Sequence, residues 1–393
     1  MSTAPADINA IAQEGLRALQ AGDHEGARQR FERLVPTGRM NAAMWLCLAL
    51  ARQKTGDAAG CGAAADEVLA REPRNLRALI FKGDVLSGQG DSRGASAFYG
   101  AALRAAPEAG TLPADLSADL VRVEAESRRI AGALEAGLRE ALAKAGIADP
   151  DRAGRVGETL DLLLGRKQLY FQQPKAFYFP GLPQKQFYDR GDFPWMDRVE
   201  AATDAIRGEL RAILEGENAF APYVEAGADR PGNDYEGMLG NADWSACFLW
   251  KNGTRVDDHA DRCPQTLAAL ADAPLCTMEG RTPSILFSLL TPGAHIPPHT
   301  GMMNSRLICH LPLIVPPGCT FRVGNALRDW REGSAWAFDD TIEHEAWNRS
   351  NQTRVVLIWE IWRPELNAEE RLGVATIFAA LDAAGGGATD LSI

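Results

Sequence analysis

Ser284-Ile-Leu-Phe-Ser-Leu-Leu-Thr-Pro-Gly-Ala-His-Ile-Pro-Pro-His-Thr-Gly301 decides how the chain is read. An apolar run ends at Pro292-Gly293, and two histidines, His295 and His299, follow at once. Beyond it come Arg306-Leu-Ile-Cys-His310, Phe338-Asp-Asp-Thr-Ile-Glu-His344 and Arg354-Val-Val-Leu-Ile-Trp359. Four of the six histidines therefore fall between Ser284 and Arg363. Short apolar runs punctuated by Pro, Gly and Asn predict a succession of β-strands. Histidines gathered on a compact β scaffold are candidate metal ligands, because neutral imidazole suits Fe, Zn, Cu and Ni.

Within this region His299 is expected in a turn after a strand. His344 follows the strand-like Ser334-Ala-Trp-Ala-Phe338 and an acidic turn. One ligand early and one late in a β-barrel, 45 residues apart, is the layout of a double-stranded β-helix metal site. A 2-His-1-carboxylate triad would add an acid two residues after the first histidine; that position is Gly301. Arg354 heads an apolar strand, where a guanidinium needs an anionic partner, and its planar fork suits a carboxylate. Ser288, in step with Leu286 and Leu290, is expected on the same interior face. Asp339 and Asp340 are expected to form a turn and to orient the ligating imidazoles. Glu343 and Glu345 are expected at the surface or behind the ligands, and His24, His259 and His295 in ordinary core or surface positions.

The first hundred residues repeat with a step of 34. Gly22-Asp23, Gly56-Asp57 and Gly90-Asp91 keep it, as do Gly15, Ala49 and Gly83, and Phe31, Ala65 and Tyr99. Small residues at fixed points let paired helices approach, with Gly-Asp at the turn between them. Period and pattern resemble tetratricopeptide repeats, helix–turn–helix units that stack into a solenoid. Helices are further expected over 116–145 and 155–165, separated by a break at Asp149-Pro150. An amphipathic helix is expected over 195–214, a strand and turn over 241–253, and a terminal helix over 367–381. The domain plan is thus a repeat array over 1–110, a helical cap and linker over 111–167, a β domain over 168–383 and a disordered tail over 384–393. The fold class is multidomain α + β.

Whole-chain properties exclude several functions. Net charge is −11 and the isoelectric point near 5.2, which argues against nucleic acid or an anionic membrane as partner. No apolar run is long enough to cross a bilayer, and the N-terminus lacks a signal-peptide pattern. The seven cysteines are scattered and form no C-x-x-C, a reduced pattern pointing to the cytoplasm.

The run from Ser284 to Leu366 resembles the catalytic domain of the aspartyl/asparaginyl β-hydroxylases, which depend on Fe(II) and 2-oxoglutarate. The resemblance is carried by Pro292-Gly-Ala-His-x-x-Pro-His299-Thr-Gly301, Asn304-x-Arg306-x-x-x-His310-x-Pro-Leu313, Gly318-Cys319, Phe338-Asp-Asp-x-x-Glu-His344-Glu-x-Trp347 and Trp362-x-Pro-Glu-Leu366. Matching elements begin near Trp244 and Trp250. The family itself has glycine at the position of Gly301, and some members carry tetratricopeptide-like repeats ahead of the catalytic domain. The resemblance implies a jelly-roll (cupin-like) barrel in which His299 and His344 ligate iron. It implies that Arg354 and Ser288 hold the distal carboxylate of 2-oxoglutarate, with His310 and Trp244 lining that site, and that Arg306 faces the substrate. A second arginine of the animal enzymes is Ile308 here. The activity implied is O2-dependent hydroxylation at the β-carbon of an Asp or Asn side chain. The substrate would be a peptide, a protein or a small acid, and the repeats would offer a surface to a protein partner. Two alternatives stay open on the residues alone: a non-redox cupin-like metalloenzyme, and a repeat scaffold with an inactive barrel.

Overall fold

The computed structural model describes residues 5–147, 154–216, 219–224 and 237–384, and the chain divides into two compact units, Met1–Arg166 and Lys167–Ile393. The expected Asp149-Pro150 break and the glycine-rich tail from Gly385 lie outside the described residues.

Three helix pairs build the first unit: α1 (Pro5–Gln20) with α2 (His24–Leu34), α3 (Ala42–Lys54) with α4 (Ala58–Leu69), and α5 (Leu76–Gly88) with α6 (Ser92–Ala105). The Gly-Asp of each repeat has two jobs. Gly22, Gly56 and Gly90 take φ of 77°, 82° and 80°, a left-handed conformation that glycine adopts without a Cβ clash. Asp23, Asp57 and Asp91 then cap the next helix, each accepting from the backbone N–H three residues on, at 2.8 Å. Such a cap satisfies one of the helix's orphan donors. The small-residue column is matched against the large one. A Cβ on Gly15 would lie 2.8 Å from the Phe31 ring, and one on Gly83 would press on Tyr99. In the middle pair the corresponding Ala49 and Ala65 are both buried. α7 (Ala114–Lys144) closes the array, with Leu116, Val123 and Ile130 in one cluster with Tyr99 and Ala102; α8 (Arg155–Leu163) follows.

In the second unit the helix expected over 195–214 is two, α9 (Met196–Ala201) and α10 (Thr203–Leu214). The Thr203 hydroxyl donates to the Glu200 carbonyl at 2.6 Å, one of the side-chain-to-backbone bonds that compete with a continuing helix. α11 (Asp257–Ala260) and α12 (Pro264–Ala269) are short, and α13 (Ala368–Ala383) ends the described chain under a capping box made by Asn367 and Glu370.

Two antiparallel sheets form the barrel. The larger runs β1 (Ala221–Pro222), β2 (Trp244–Lys251), β4 (Ile285–Leu290), β11 (Arg354–Trp362), β6 (Arg306–Ile314), β9 (Trp336–Phe338), with β3 (Thr254–Arg255) paired to β2. The smaller runs β5 (His295–His299), β10 (His344–Asn348), β7 (Cys319–Val323), β8 (Ala326–Asp329). This is a double-stranded β-helix. Strand alternation sorts the two faces of the larger sheet. Phe287, Leu307, Cys309, Leu311, Val355, Leu357 and Trp359 pack outward with Val199, Ile206, Leu210 and Ile213 of α9 and α10. Leu286, Ile308, Val356 and Ile358 pack inward with Phe321, Val323 and Ala346 of the smaller sheet. That second layer holds the site.

Candidate functional site

His299 closes β5 and His344 opens β10, and the two residues are directly paired across the strands. His299 therefore lies in a strand rather than in the turn its Pro-Pro prelude suggested. The pairing shifts register between His344 and Ala346, so Pro297 and Pro298 are absorbed as a bulge. β5 ends the smaller sheet's strand order, and an edge strand tolerates proline because no ladder donor is needed there. The imidazole centroids come within 4.1 Å. Each ring is oriented by a carbonyl two residues back: Nδ1 of His299 meets Pro297 O at 2.8 Å, and Nδ1 of His344 meets Ile342 O at 3.1 Å. Those bonds put the protons on Nδ1 and leave the Nε2 lone pairs for a ligand.

The same cavity is lined from the larger sheet by Trp244, Ser288, His310 and Arg354. Their convergence follows from register: Arg354 pairs with Leu290, Leu290 with Trp244, Val356 with Ser288, and Ile358 with His310. Trp244 Nε1 donates to Ser288 Oγ at 3.1 Å, which fixes the hydroxyl. Arg354 is buried, its guanidinium 5.1 Å from the Trp330 ring centroid. It makes no ion pair with an acid among the described residues, and burial pushes its pKa down to about 10. His310 stacks on Trp330 with centroids 5.2 Å apart.

Electrostatics keep the imidazoles neutral. Burial pushes His299 down to about 4 against the opposing Pro297 hydrogen bond, and the Lys175 charge adds to the lowering. Burial also holds His344 and His310 well below the ordinary range, helped by the neighbouring His299 and by Arg354 respectively. Neutral imidazole is the form that binds a metal. Buried His299 Nε2, His310 Nδ1 and Arg354 Nε have no hydrogen-bond partner, and such orphans call for a ligand. Two neutral imidazoles and a nearby unpaired cation would fit a metal that carries an acidic chelator. Among the described residues no three His, Cys, Asp or Glu converge as a metal cage.

Two expectations are corrected. Arg306 does not face the cavity: it is fully buried, pairing with Glu360 and, at 3.4 Å, with Asp340. Its place among acids on the inward face of β6 and β11 spends the guanidinium inside the protein. Asp339 does not orient an imidazole; its carboxylate goes to Arg363 at 2.8 Å, Gln172 at 2.7 Å and the Thr341 hydroxyl at 2.6 Å. Backbone carbonyls do the orienting instead. Glu345 is buried, bonded to His295 Nε2 at 2.9 Å and to Arg322. The aromatic wall of Phe321, Trp330 and Phe338 was not singled out from sequence, although the alternation Cys319-Thr-Phe321-Arg-Val323 carried the signal for Phe321. The seven cysteines are all free.

Residues 200–364 match the family model described as aspartyl/asparaginyl beta-hydroxylase. An ornithine lipid ester-linked acyl 2-hydroxylase of Rhizobium tropici is 34% identical over 180 residues, covering 45% of this chain and 60% of the relative. Aspartyl/asparaginyl beta-hydroxylase of Homo sapiens is 36% identical over 143 residues, covering 36% of this chain and 19% of the relative. The chain thus spans three-fifths or less of the length of these relatives. Similar solved structures include PcrH from Pseudomonas aeruginosa, at 18% identity and TM-score 0.28, covering 33% of this chain and 95% of that one. The Sgt2 TPR domain from Aspergillus fumigatus, at 18% identity and TM-score 0.28, covers 34% of this chain and 83% of that one. The matched segment 200–364, which holds the opposed histidines and the buried Arg354, is similar to the aspartyl/asparaginyl β-hydroxylase family.

Proposed function

We propose that this chain is an Fe(II)- and 2-oxoglutarate-dependent dioxygenase that hydroxylates the β-carbon of an Asp or Asn side chain in a peptide or protein. The observation that carries the reading is a buried guanidinium without an acid partner, in one cavity with two neutral imidazoles opposed across β5 and β10. His299 and His344 would hold the iron through Nε2, and Arg354 with Ser288 would take the distal carboxylate of 2-oxoglutarate. Trp244 would steady Ser288 and, with His310, wall the cosubstrate in. Bound there, iron supplies the open positions at which 2-oxoglutarate and O2 react to give succinate, CO2 and a hydroxylated substrate. The chain's own part is placement: it orients the distal carboxylate, keeps the imidazoles neutral and excludes water with Phe321, Trp330 and Phe338. The repeats would present a protein-binding surface, and free thiols fit residence in the cytoplasm.

The relative named as an acyl 2-hydroxylase favours a second substrate reading, an acyl chain hydroxylated at C2. The two readings share one chemistry. Cβ of an aspartyl side chain and C2 of an acyl group both lie next to a carboxyl-level carbon. The site is therefore read as hydroxylating a methylene in that position, with the aspartyl or asparaginyl residue as first choice.

The test is anaerobic titration of the metal-free protein with Fe(II) and then 2-oxoglutarate, following the visible charge-transfer band of the chelate. The band is expected in the wild type and absent in His299→Ala. Its absence from properly folded wild-type protein would overturn the reading in favour of a non-redox barrel or an inactive scaffold.

A further inference from the structure

Trp330 follows β8 in the connection to β9, where the chain passes from the smaller sheet to the larger. Its indole forms part of the cavity wall. His310 stacks on it, with centroids 5.2 Å apart and planes 17° from parallel. The ring of Trp336 leans on it at 4.9 Å and that of Phe321 at 5.2 Å. The Arg354 guanidinium lies 5.1 Å from its centroid. The one polar atom of this indole, Nε1, is buried and has no hydrogen-bond partner, although a buried tryptophan N–H usually finds one.

Packing alone does not ask for an indole at this place. Phe321 and Phe338 line the same wall with rings that carry no polar atom, and an unpaired N–H in a dry setting destabilises the fold. Trp45, Trp336 and Trp359 also bury an unpartnered Nε1, but none of those three lines the cavity. Beside Trp330, the lining residues Arg354 and His310 have unpartnered nitrogens too, at Nε and Nδ1. Three elements, β6, the β8–β9 connection and β11, thus bring unsatisfied nitrogens to one wall. The guanidinium and the indole can only donate, and a carboxylate has enough lone pairs to accept from both.

We propose that Trp330 binds the distal carboxylate of 2-oxoglutarate, its Nε1–H donating beside Arg354 and Ser288. The inference rests on the oxygenase reading above and adds a neutral donor to the charged one. Trp244 Nε1 is already bonded to Ser288 Oγ, so Trp330 is the cavity tryptophan whose N–H remains for a ligand. Arg354 supplies charge, and an indole held between His310 and Trp336 supplies direction. Together they favour a 2-oxo acid that ends in a second carboxylate.

The experiment titrates metal-free wild type and Trp330→Phe anaerobically with Fe(II) and then 2-oxoglutarate, following the charge-transfer band, and repeats the titration with 2-oxovalerate. The second acid keeps the 2-oxo chelate and has a methyl group in place of the distal carboxylate. Trp330→Phe keeps a ring and loses the N–H, so it should melt as wild type does. Its half-saturating 2-oxoglutarate concentration should rise about tenfold, the scale of one hydrogen bond to a charged group, while that for 2-oxovalerate stays unchanged. An unchanged requirement for 2-oxoglutarate overturns the assignment. So does an equal rise for both acids, which is what a packing role alone gives. A crystal structure of wild type with Zn(II) and 2-oxoglutarate needs no variant, and it carries the test if Trp330→Phe does not fold. Nε1 of Trp330 is expected within about 3.2 Å of a distal carboxylate oxygen; an Nε1 left unpaired there overturns the proposal. No band with folded wild type overturns the oxygenase reading, and this inference with it, whereas the other outcomes leave that reading standing.

Discussion

Gly301 stands where the backbone returns past His299, and its N–H donates to Asp340 O at 2.7 Å. A Cβ built on it would fall onto the Asp340 carboxylate. The place from which a third, carboxylate ligand would reach a metal is thus filled by another acid, itself pushed up to about 7 by burial despite the Arg306 charge. Gly301→Asp is therefore predicted to gain no ligand. Gly301→Ala should lower the thermal midpoint by an overpacking cost of about 1–3 kcal/mol, and Asp340→Ala in the same chain should recover part of it. A Gly301→Asp protein as stable as wild type and binding metal more tightly would refute this account. Arg354 is tested by substitution as well. Arg354→Ala should raise the 2-oxoglutarate concentration needed for half-maximal chelate formation at least tenfold, since charge-assisted bonds contribute about 1.5–3 kcal/mol each. An unchanged requirement would remove Arg354 from the cosubstrate site.

Among elements, the repeat pairs and the barrel strands differ in how much a sequence discloses. The 34-residue step showed both the Gly-Asp turns and the small-against-large columns, because each repeat must solve one packing problem in one way. Gly83→Ala is predicted to destabilise the first unit by about 1–3 kcal/mol, since the new Cβ presses on the Tyr99 ring. Gly88→Ala, whose Cβ would meet nothing within 4 Å, should instead stabilise α5 by about 0.5–1 kcal/mol; thermal unfolding of the two variants separates the effects. In the barrel, two-residue alternation was enough to put Ser288 on the inward face with Leu286 and Leu290, and the shared motif context picked out His299 and His344 from six histidines. What alternation could not disclose is which inward residues meet across strands. Arg306 pairs with Glu360, 54 residues later, and Asp340 closes on Gly301 through chain folding that leaves no local pattern. Trp330 is likewise placed by tertiary packing, at the end of β8 against His310.

For the molecule as a whole, the burial that readies the site for a metal also sets its response to acid. His299 takes a proton only near pH 4, and His310 and His344 are held well below 6.5, whereas in the unfolded chain all three titrate near 6.5. Below 6.5 the unfolded state therefore binds more protons at these three sites. Asp340 works the other way: its folded pKa of about 7 against an ordinary 3.8 gives the folded state one extra proton across that range. The three imidazoles outweigh the one carboxyl, so these groups make metal-free protein lose stability as pH falls below 6.5. Urea unfolding at pH 7 and pH 5 measures this, and His310→Asn should flatten the profile by removing one of the three imidazoles. Protein that gains stability on acidification would show that the histidines are not held neutral, and would undercut the neutral-ligand reading of the site. Bound metal should steepen the loss, because it stabilises only the folded form and leaves as its ligands take up protons.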